Sequence, residues 1–326
     1  MSAVTVRPAA LRLAPLKLGS RRSPMAIAQS RQVAGLITER TGRLVEIVGV
    51  TTLGDVSRAQ LTQIGGTGVF VSALREALLR GEVDLAVHSL KDLPTGPAAG
   101  IVLAAVPPRD DPRDALAARD GAKLADLPPG STIGTGSPRR AAQLLLLRPD
   151  LRPVPVRGNA GTRLGRVTSG EVDAVLLAHA GLARIDRLDA VTQIFDPDEI
   201  LPAPGQGALA VECRSGEPEL AGLLACADDP ATRAATTAER SLLAALQAGC
   251  SAPVGGYAAG TDGLRLRAVV VAADGEMALR ASAGGPAGEA ESLGREVAAE
   301  LLRCGAGRYT VVSAEMAGHI SFGDDD

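Results

Sequence analysis

Residues Gly81–Pro94 read G-E-V-D-L-A-V-H-S-L-K-D-L-P and join an apolar core segment to a short polar run. Within this stretch, Val83–Val87 is apolar and rich in β-branched residues, which predicts a buried strand. The apolar periodicity of Ser72–Leu79, closed by Gly81, predicts a helix directly before it. A helix that leads into a buried strand favours a parallel α/β sheet, where chemistry lies just past the carboxyl ends of the strands. The residues predicted to lie there are His88, Ser89, Lys91 and Asp92.

The opening of this stretch recurs later in the chain. Gly170–Asp173 repeats the four residues Gly81–Asp84 after 89 residues (170 minus 81), and a predicted helix precedes each copy. The repeat predicts two α/β domains of like design that face each other over a cleft. Ala208–Cys213 is predicted to be a strand that returns to the first domain, and the pattern after about Thr232 predicts a small α+β domain. The predicted boundaries are a disordered leader over 1–15, a first domain over 16–110 with 202–228, a second over 111–201, a third over 229–310 and a tail over 311–326.

The composition and charge of the chain exclude several classes of protein. Apolar residues make up 46% of the 326 residues and charged residues 22%, so the chain can bury a core and is not disordered. The net charge of -3 gives no overall attraction to nucleic acid or to anionic membranes. No apolar run approaches the ~20 residues that a membrane-spanning helix needs. We therefore expect neither nucleic acid nor a membrane as a partner.

The cysteines, histidines and first residues bear on compartment and metal content. The cysteines at 213, 226, 250 and 304 form no C-x-x-C pair, which predicts free thiols in a reducing cytoplasm. The three histidines have no metal-like spacing, so no metal is expected. The acid-free segment 1–15 is typical of either a disordered leader or a transit peptide.

Arginines are concentrated between residues 131 and 170. This segment holds seven arginines (139, 140, 148, 152, 157, 163 and 166), no lysine and one acid, Asp150. Ser137-Pro138 predicts a helix start that places Arg139 and Arg140 in the first turn, where the helix dipole disfavours cations by ~0.3–1 kcal/mol each. An anion at the helix start would explain this placement, and arginine favours planar carboxylates or phosphates. The alternative is a set of ordinary surface arginines.

Features that the segment lacks exclude two classes of anionic ligand. Nucleic-acid grooves interleave aromatic residues with basic ones, but no aromatic residue lies in this segment. The dinucleotide fingerprint needs a glycine at the position that Arg139 occupies after Gly134 and Gly136. A small polycarboxylate in the cleft fits better than either of these ligands.

Three single residues each allow two interpretations. Asp92 is either a turn residue or, beside Lys91 and facing an arginine-lined cleft, a catalytic group. His88 is predicted to be a core or hydrogen-bonding histidine rather than a base. Cys250 lies in a loop of small residues after a helix, so it is either presented to the cleft or an inert buried thiol.

Several motifs together resemble one family, the porphobilinogen deaminases, also called hydroxymethylbilane synthases. They occur in the family's order over roughly residues 16 to 305. The motifs are Ser20–Pro24, Val87–Pro94, Asp111–Asp114, Gly134–Arg140, Arg157–Leu164, Gly205–Ala208 and Gly249–Gly255.

The resemblance implies a fold, a cofactor and a reaction. It implies two α/β domains like those of periplasmic binding proteins and a small third domain. It also implies a dipyrromethane cofactor attached by a thioether to Cys250. The family joins four porphobilinogen molecules head to tail, releases four ammonia and frees hydroxymethylbilane by hydrolysis, a step of haem and porphyrin biosynthesis. A cytoplasmic monomer that takes porphobilinogen as its substrate is the resulting expectation.

The resemblance also implies roles for individual residues. Asp92 corresponds to a catalytic carboxylate that stabilises the cation left when ammonia departs and assists proton transfer. The residues that would contact the cofactor are Ser89, Lys91, Asp92, Ser137, Arg139, Arg140, Arg163 and, covalently, Cys250. The residues that would bind the acidic arms of the substrate are Arg21, Ser23, Arg157, Arg163 and Arg184.

One segment departs from the family pattern. Relatives often carry lysines around the glycine loop at 65–68, whereas this chain has Gln63 and Thr67. A role in binding the substrate arms is therefore not expected for this loop, which would act as a neutral lid.

The alternative to an enzyme is a non-catalytic, two-lobed protein that binds a small anion.

Overall fold

The fold is taken from a computed structural model that describes residues 14–50, 68–249 and 252–310. The predictions for Cys250, for Gln63 and Thr67 of the glycine loop, for the leader before residue 14 and for the tail after residue 310 lie outside these residues.

The strands, in chain order, are β1 Leu16–Ser20, β2 Val45–Gly49, β3 Leu85–Ser89, β4 Ile101–Ala105, β5 Asp114–Ala118, β6 Thr132–Gly134, β7 Arg152–Val154, β8 Ala174–Ala178, β9 Gln193–Ile194, β10 Leu209–Arg214, β11 Val254–Ala259, β12 Leu264–Val271 and β13 Ala278–Gly285. The α-helices are α1 Pro24–Thr41, α2 Gly68–Leu79, α3 Pro138–Leu147, α4 Ala160–Thr168, α5 His179–Arg184, α6 Pro218–Leu224, α7 Pro230–Ala245, α8 Ala290–Arg303 and α9 Gly307–Thr310. Short 3₁₀ helices span Leu90–Asp92, Arg119–Gly121, Leu124–Asp126, Leu188–Ala190, Ala225–Ala227 and Ala287–Glu289.

The first domain is built on a five-stranded sheet of order β2-β1-β3-β10-β4. Strands β1, β2 and β3 are parallel, but β10 runs antiparallel to both β3 and β4. The parallel arrangement predicted around β3 holds for β1, β2 and β3 but not for β10, because the chain returns from the second domain in the opposite direction and inserts β10 into the sheet. The returning strand itself was predicted and is confirmed. Its buried Val211 packs with Leu18, Ile37 and Leu85 in the core of this domain.

The second domain repeats this design. Its sheet has the order β7-β6-β8-β5-β9, with β6 parallel to both β7 and β8, and β5 antiparallel to β8 and β9. The central strands β3 and β8 begin at Leu85 and Ala174, which are 89 residues apart (174 minus 85). The internal repeat noticed in the sequence therefore corresponds to two domains of the same topology.

The third domain is a three-stranded antiparallel sheet, β11-β12-β13, covered by α7 and α8. Strand β11 was not predicted, because its sequence V-G-G-Y-A-A lacks a clear apolar alternation. Val269 and Val271 of β12 pack on Ala142 of α3 and on Leu201. This contact fixes the third domain against the helix that carries Arg139 and Arg140.

Both ends of α1 are formed by residues that typically cap helices. Ser23 caps α1 by accepting from the Ala26 N–H, and Gly42 ends this helix in the left-handed conformation at φ 71°. Strand β3, however, begins at Leu85 and includes His88 and Ser89, which pair with Ala210 and Leu209. These two residues therefore lie in the strand, not past its end as predicted, and only Lys91 and Asp92 lie beyond it.

Candidate active site

A cleft of about 670 Å³ lies between the first two domains. The charged side chains that line it are Arg21, Lys91, Asp92, Arg140, Arg163 and Arg184. Among the described residues, Asp92 is thus the single acid in the lining, opposed by five cations. A surface of this composition favours ligands that carry several negative charges.

Asp92 ends the one-turn 3₁₀ helix that follows β3. The buried side chains of Leu90 and Leu93 anchor this turn, and Arg240 of α7 donates to the carbonyls of Leu93 at 2.9 Å and Pro94 at 2.7 Å. Within the described part of the chain, the Asp92 carboxylate accepts no hydrogen bond, although it is only half-exposed. The turn therefore presents a carboxylate whose oxygens remain available to a bound molecule.

Lys91 lies beside Asp92 and points toward the second domain. Its Nζ lies 3.1 Å from Oε1 of Gln206, a side chain with no exposed surface. Burial, and then the positive charge of Arg140, lowers the pKa of Lys91 to about 8. The Oγ of Ser89, in the same lining, accepts a 2.6 Å hydrogen bond from Nε2 of Gln29.

Arg139 and Arg140 have an anion at the start of α3, but that anion is part of the chain. The Asp114 carboxylate, fully buried at the start of β5, accepts from Arg139 Nη1 at 2.7 Å and from Arg140 Nη2 at 2.8 Å. Burial would raise the pKa of Asp114, but the two guanidiniums hold it well below its usual range. Arg139 also donates to the carbonyl of Leu201 and does not line the cleft, whereas Arg140 does. The expectation that an external ligand explains both arginines is corrected accordingly.

The remaining arginines differ in how far internal partners engage them. Arg163 lines the cleft and donates through Nε to the Gly158 carbonyl at 2.9 Å, and burial lowers the pKa of Arg163. Arg184 donates to Asp110 at 2.8 Å and to the Gly207 carbonyl at 2.7 Å. Each of these two side chains therefore combines a place in the cleft with a bond to its own chain.

The structure brings together most of the predicted site residues and separates a few. Those that line the cleft are Arg21, Ser23, Ser89, Lys91, Asp92, Arg140, Arg163 and Arg184. Those that do not are Arg139, the exposed Arg157, and Ser137, whose Oγ accepts from the Arg140 N–H as the cap of α3. His88 lines the cleft from within β3 and is buried, in agreement with a core histidine; its Nε2 lies 3.2 Å from Oε2 of the buried Glu212 without the geometry of a hydrogen bond.

Sequence reasoning missed the residues that hold these groups in place. Asp114 stood in a quoted motif without a role, and Asp110 entered only as the last residue of the first segment of the first domain. Gln206 stood between Gly205 and Gly207, which have φ values of 76° and 85°. Two glycines in this conformation indicate a close backbone approach, and that signal could have drawn attention to the side chain between them.

Two negative findings apply to the described residues. They contain no group of three or more His, Cys, Asp or Glu side chains that could hold a metal ion. None of their helices is both long enough and apolar enough to cross a membrane.

Family models match most of the chain. The model described as "Porphobilinogen deaminase, dipyromethane cofactor binding domain" matches residues 16–222. The model described as "Porphobilinogen deaminase, C-terminal domain" matches residues 234–303.

Curated relatives and solved structures give further similarities. The chain is 61% identical over 312 residues to the porphobilinogen deaminase of Thermobifida fusca, covering 92% of this chain and 97% of that protein. It is 57% identical over 305 residues to porphobilinogen deaminase 1 of Streptomyces coelicolor, covering 89% and 96%. Its structure is similar to an ABC transporter periplasmic substrate-binding protein from Coxiella burnetii, with TM-score 0.41 and 17% identity over 67% of this chain and 94% of that one. The methionine-binding protein MetQ gives TM-score 0.42 and 12% identity over 65% and 89%.

Proposed function

The chain belongs to the porphobilinogen deaminase family, and from this premise we propose that it is the transferase that joins four porphobilinogen molecules into hydroxymethylbilane. Each condensation releases one ammonia, and water frees the linear product for tetrapyrrole biosynthesis. The observation that carries the proposal for the site is the Asp92 carboxylate, which accepts no hydrogen bond from the described residues in a cleft whose other charged lining residues are cations. Asp92 is therefore proposed as the catalytic residue.

The donor groups of the cleft fit a dipyrromethane, whose two pyrroles carry acetate and propionate arms. Arg140 and Arg163 offer guanidinium N–H groups, Lys91 an ammonium and Ser89 a hydroxyl. The volume of about 670 Å³ lies within the range of about 300–1,000 Å³ typical of small-molecule sites. We propose that these four side chains hold the cofactor and that Cys250 anchors it. When bound, the cofactor supplies the pyrrole that accepts the first substrate unit.

Asp92 acts on the substrate through charge and proton transfer. The aminomethyl carbon of porphobilinogen becomes cationic when ammonia leaves, and a carboxylate held close to it stabilises that cation. The same carboxylate can take up and return a proton, since no described residue donates to its oxygens. Lys91, beside it, balances the carboxylate charge between turnovers.

The cationic residues of the cleft bind the carboxylate arms of the substrate. Arg21, Arg163 and Arg184 line the cleft together with the capping Ser23, and we keep all four as proposed substrate ligands. Arg157 is exposed outside the lining, so a contact with substrate requires the chain around it to move. We assign Arg139 and Ser137 an indirect part, through Asp114 and through the cap of α3.

The alternative of a non-catalytic anion-binding protein is not favoured. The family models cover all three sheets of the chain, and the relatives that carry the enzyme's name align over nearly their whole length.

We keep the domain boundaries 16–110 with 202–228, 111–201 and 229–310 as proposals, which the assignment of the strands to three separate sheets supports. A monomeric state and a cytoplasmic location also stay proposals. The free thiols of Cys213, Cys226 and Cys304 support a reducing compartment.

Intact-mass spectrometry tests the anchor. The purified wild-type protein is expected to be heavier than its chain by one dipyrromethane, and Cys250→Ser is expected to lose this increment. Cys304→Ser, which changes an exposed thiol of the third domain, is the matched control and should retain it. An increment that persists in Cys250→Ser would exclude this cysteine as the anchor.

Turnover tests the catalytic group. Asp92→Asn is expected to keep the mass increment but to form hydroxymethylbilane about 10²–10⁴-fold more slowly, with ammonia release falling in parallel. Asp262→Asn, in an exposed turn of the third domain, should behave as wild type. Wild-type rates in Asp92→Asn would remove Asp92 from the mechanism.

A further inference from the structure

Gln206 lies at the junction of the first two domains and has no exposed surface. Its amide nitrogen donates to the Pro112 carbonyl at 2.7 Å and to Asp114 Oδ1 at 2.9 Å. Its amide oxygen accepts from Lys91 Nζ at 3.1 Å and from Arg140 Nη2 at 3.3 Å. All the hydrogen-bonding positions of one buried amide are thus used, and its partners come from both domains.

The partners also determine the orientation of the amide. A lysine ammonium and a guanidinium can only donate, so the atom that faces them must be the oxygen. A carboxylate and a carbonyl can only accept, so the atom that faces Asp114 and Pro112 must be the nitrogen. Rotating the amide by half a turn would bring donors against donors and acceptors against acceptors.

The backbone around Gln206 leaves little room for adjustment. A Cβ at Gly205 would lie 3.2 Å from the backbone nitrogen of Lys91, and one at Gly207 would lie 2.4 Å from the carbonyl oxygen of Asp110. Both glycines also have positive φ, which side chains other than glycine rarely adopt. The backbone of residues 205–207 therefore packs directly against the turn that carries Lys91 and against Asp110.

We propose that Gln206 is a positioning residue that holds the Lys91 ammonium against the Asp114–Arg140 pair of the second domain and thereby sets the charge next to Asp92. Gln206 need not touch the substrate for this role. Because its partners come from both domains, Gln206 makes the position of the Lys91 ammonium in the cleft depend on how the two domains lie relative to each other. The inference rests on the proposed function for the meaning of Lys91 and Asp92, but its first test does not depend on turnover.

The sequence allows that test to be made on one amine. The chain has three lysines, Lys17, Lys91 and Lys123, and the structure exposes Lys17 and Lys123 at the surface. In protein labelled with ¹³Cε-lysine, three signals can be followed against pH, and Lys91→Arg identifies the one that belongs to Lys91. Wild-type Lys91 is expected to titrate at about 8. The charges that face it are Asp92 on its own turn, Arg139 and Arg140 on α3, and Asp114 on β5.

Two substitutions of Gln206 separate the acceptor from the rest of the amide. Gln206→Met removes the oxygen that accepts from the ammonium, so the midpoint of Lys91 is expected to fall by about one pH unit. Gln206→Glu keeps an oxygen at this position, so the midpoint should stay at about 8 or rise. Gln206→Asn, which withdraws the oxygen with less loss of polarity, gives the same fall as methionine if the methionine variant does not fold.

Gln143 provides the matched control. It is also a buried glutamine, but its amide partners among the described residues are the backbone N–H and carbonyl of Leu201 alone. Gln143→Met should lower the melting temperature without moving the Lys91 midpoint. The proposal is overturned if Gln206→Met leaves that midpoint at the wild-type value, or if Gln143→Met moves it equally.

Turnover provides the second test. Gln206→Met is expected to lower kcat about tenfold and to shift the alkaline limb of its pH profile in the same direction as the Lys91 midpoint, whereas Gln143→Met leaves the profile in place. A profile unchanged in Gln206→Met would overturn the link to Asp92. If the wild-type protein makes no hydroxymethylbilane, the proposed function fails, while a shifted Lys91 midpoint still supports the positioning role.

Discussion

Replacing Asp114 by asparagine tests whether the arginines at the start of α3 are held by an internal anion. The substitution keeps the size of the side chain but removes its charge. It also turns one oxygen into an NH₂ group, because Arg140 and Gln206 donate to Oδ1 and Arg139 donates to Oδ2. At least one donor would then face another donor at hydrogen-bond distance. The buried guanidiniums of Arg139 and Arg140 would then lose the negative charge that pairs with both of them.

The magnitude follows from the burial of this group. Asp114 is 0% exposed, and Arg139 and Arg140 are 3% and 6% exposed, so solvent screens little of the interaction. Removing one partner of a buried ion pair destabilises by about 3–5 kcal/mol. We expect Asp114→Asn to melt about 10 °C below wild type. Asp111→Asn, which loses a pair with the half-exposed Arg113, is the control and should cost under about 1 kcal/mol.

The pH dependence of the stability difference between wild type and Asp114→Asn provides an independent test. The pKa of Asp114 is lowered in the folded state, so its stabilising contribution is complete above about pH 5 and is lost progressively as the pH falls through the unfolded value of about 3.9 toward the lower folded value. Thermal melts followed by circular dichroism should show the largest gap between wild type and Asp114→Asn at pH 6–8. The gap should narrow in acid. A variant that melts within about 2 °C of wild type at pH 7 would refute the internal anion and leave Arg139 and Arg140 to an external ligand.

Two further predictions concern side chains that support the first domain. Arg240→Leu should lower kcat about tenfold with a smaller change in melting temperature, because Arg240 of α7 holds the carbonyls directly after Asp92; Arg295→Leu, at an exposed position of α8, is the control, and equal rates in both would contradict this role. Glu212→Gln should lower the free energy of unfolding by about 3 kcal/mol at pH 7, since burial raises the pKa of Glu212 but the adjacent His88 and the hydrogen-bonded Arg75 lower it to about 2. That contribution is complete above about 4.3 and is lost toward pH 2, so urea melts of the two proteins should converge in acid; a gap independent of pH would contradict it.

Features that depend on neighbouring residues could be predicted from the sequence. The cap at Ser23 and the left-handed end at Gly42 depend on only a few adjacent residues: Ser-Pro at a helix start and glycine just past a helix end are typical sequence signals. The repeat of 89 residues revealed the two-domain design because each copy forms the same central strand. The direction of β10 was missed, because it depends on where the chain re-enters the first domain and not on the residues of the strand.

The arginine cluster shows where sequence reasoning reached its limit. Two cations in the first turn of a helix did indicate an anion, and the structure contains one. Composition cannot tell a substrate carboxylate from Asp114, which lies 25 residues before Arg139 and on a different element. The same holds for Gln206, whose partners Lys91 and Asp114 are 115 and 92 residues away. The Asp114–Arg139 pair forms only once the second domain has folded, and the Gln206–Asp114 contact only once the first two domains lie against each other.

The internal acids do not remove the preference of the cleft for a polycarboxylate. Asp110 bonds Arg184, and Asp114 bonds Arg140 together with the buried Arg139. Even with both acids counted beside Asp92, the cations of the cleft remain in excess. An arriving carboxylate arm can therefore bind without displacing an internal partner, while Asp110 and Asp114 hold the guanidiniums of Arg184 and Arg140 in place before the substrate arrives. Preorganised donors of this kind lose less conformational entropy on binding, which favours a growing chain whose negative charge increases with each unit added.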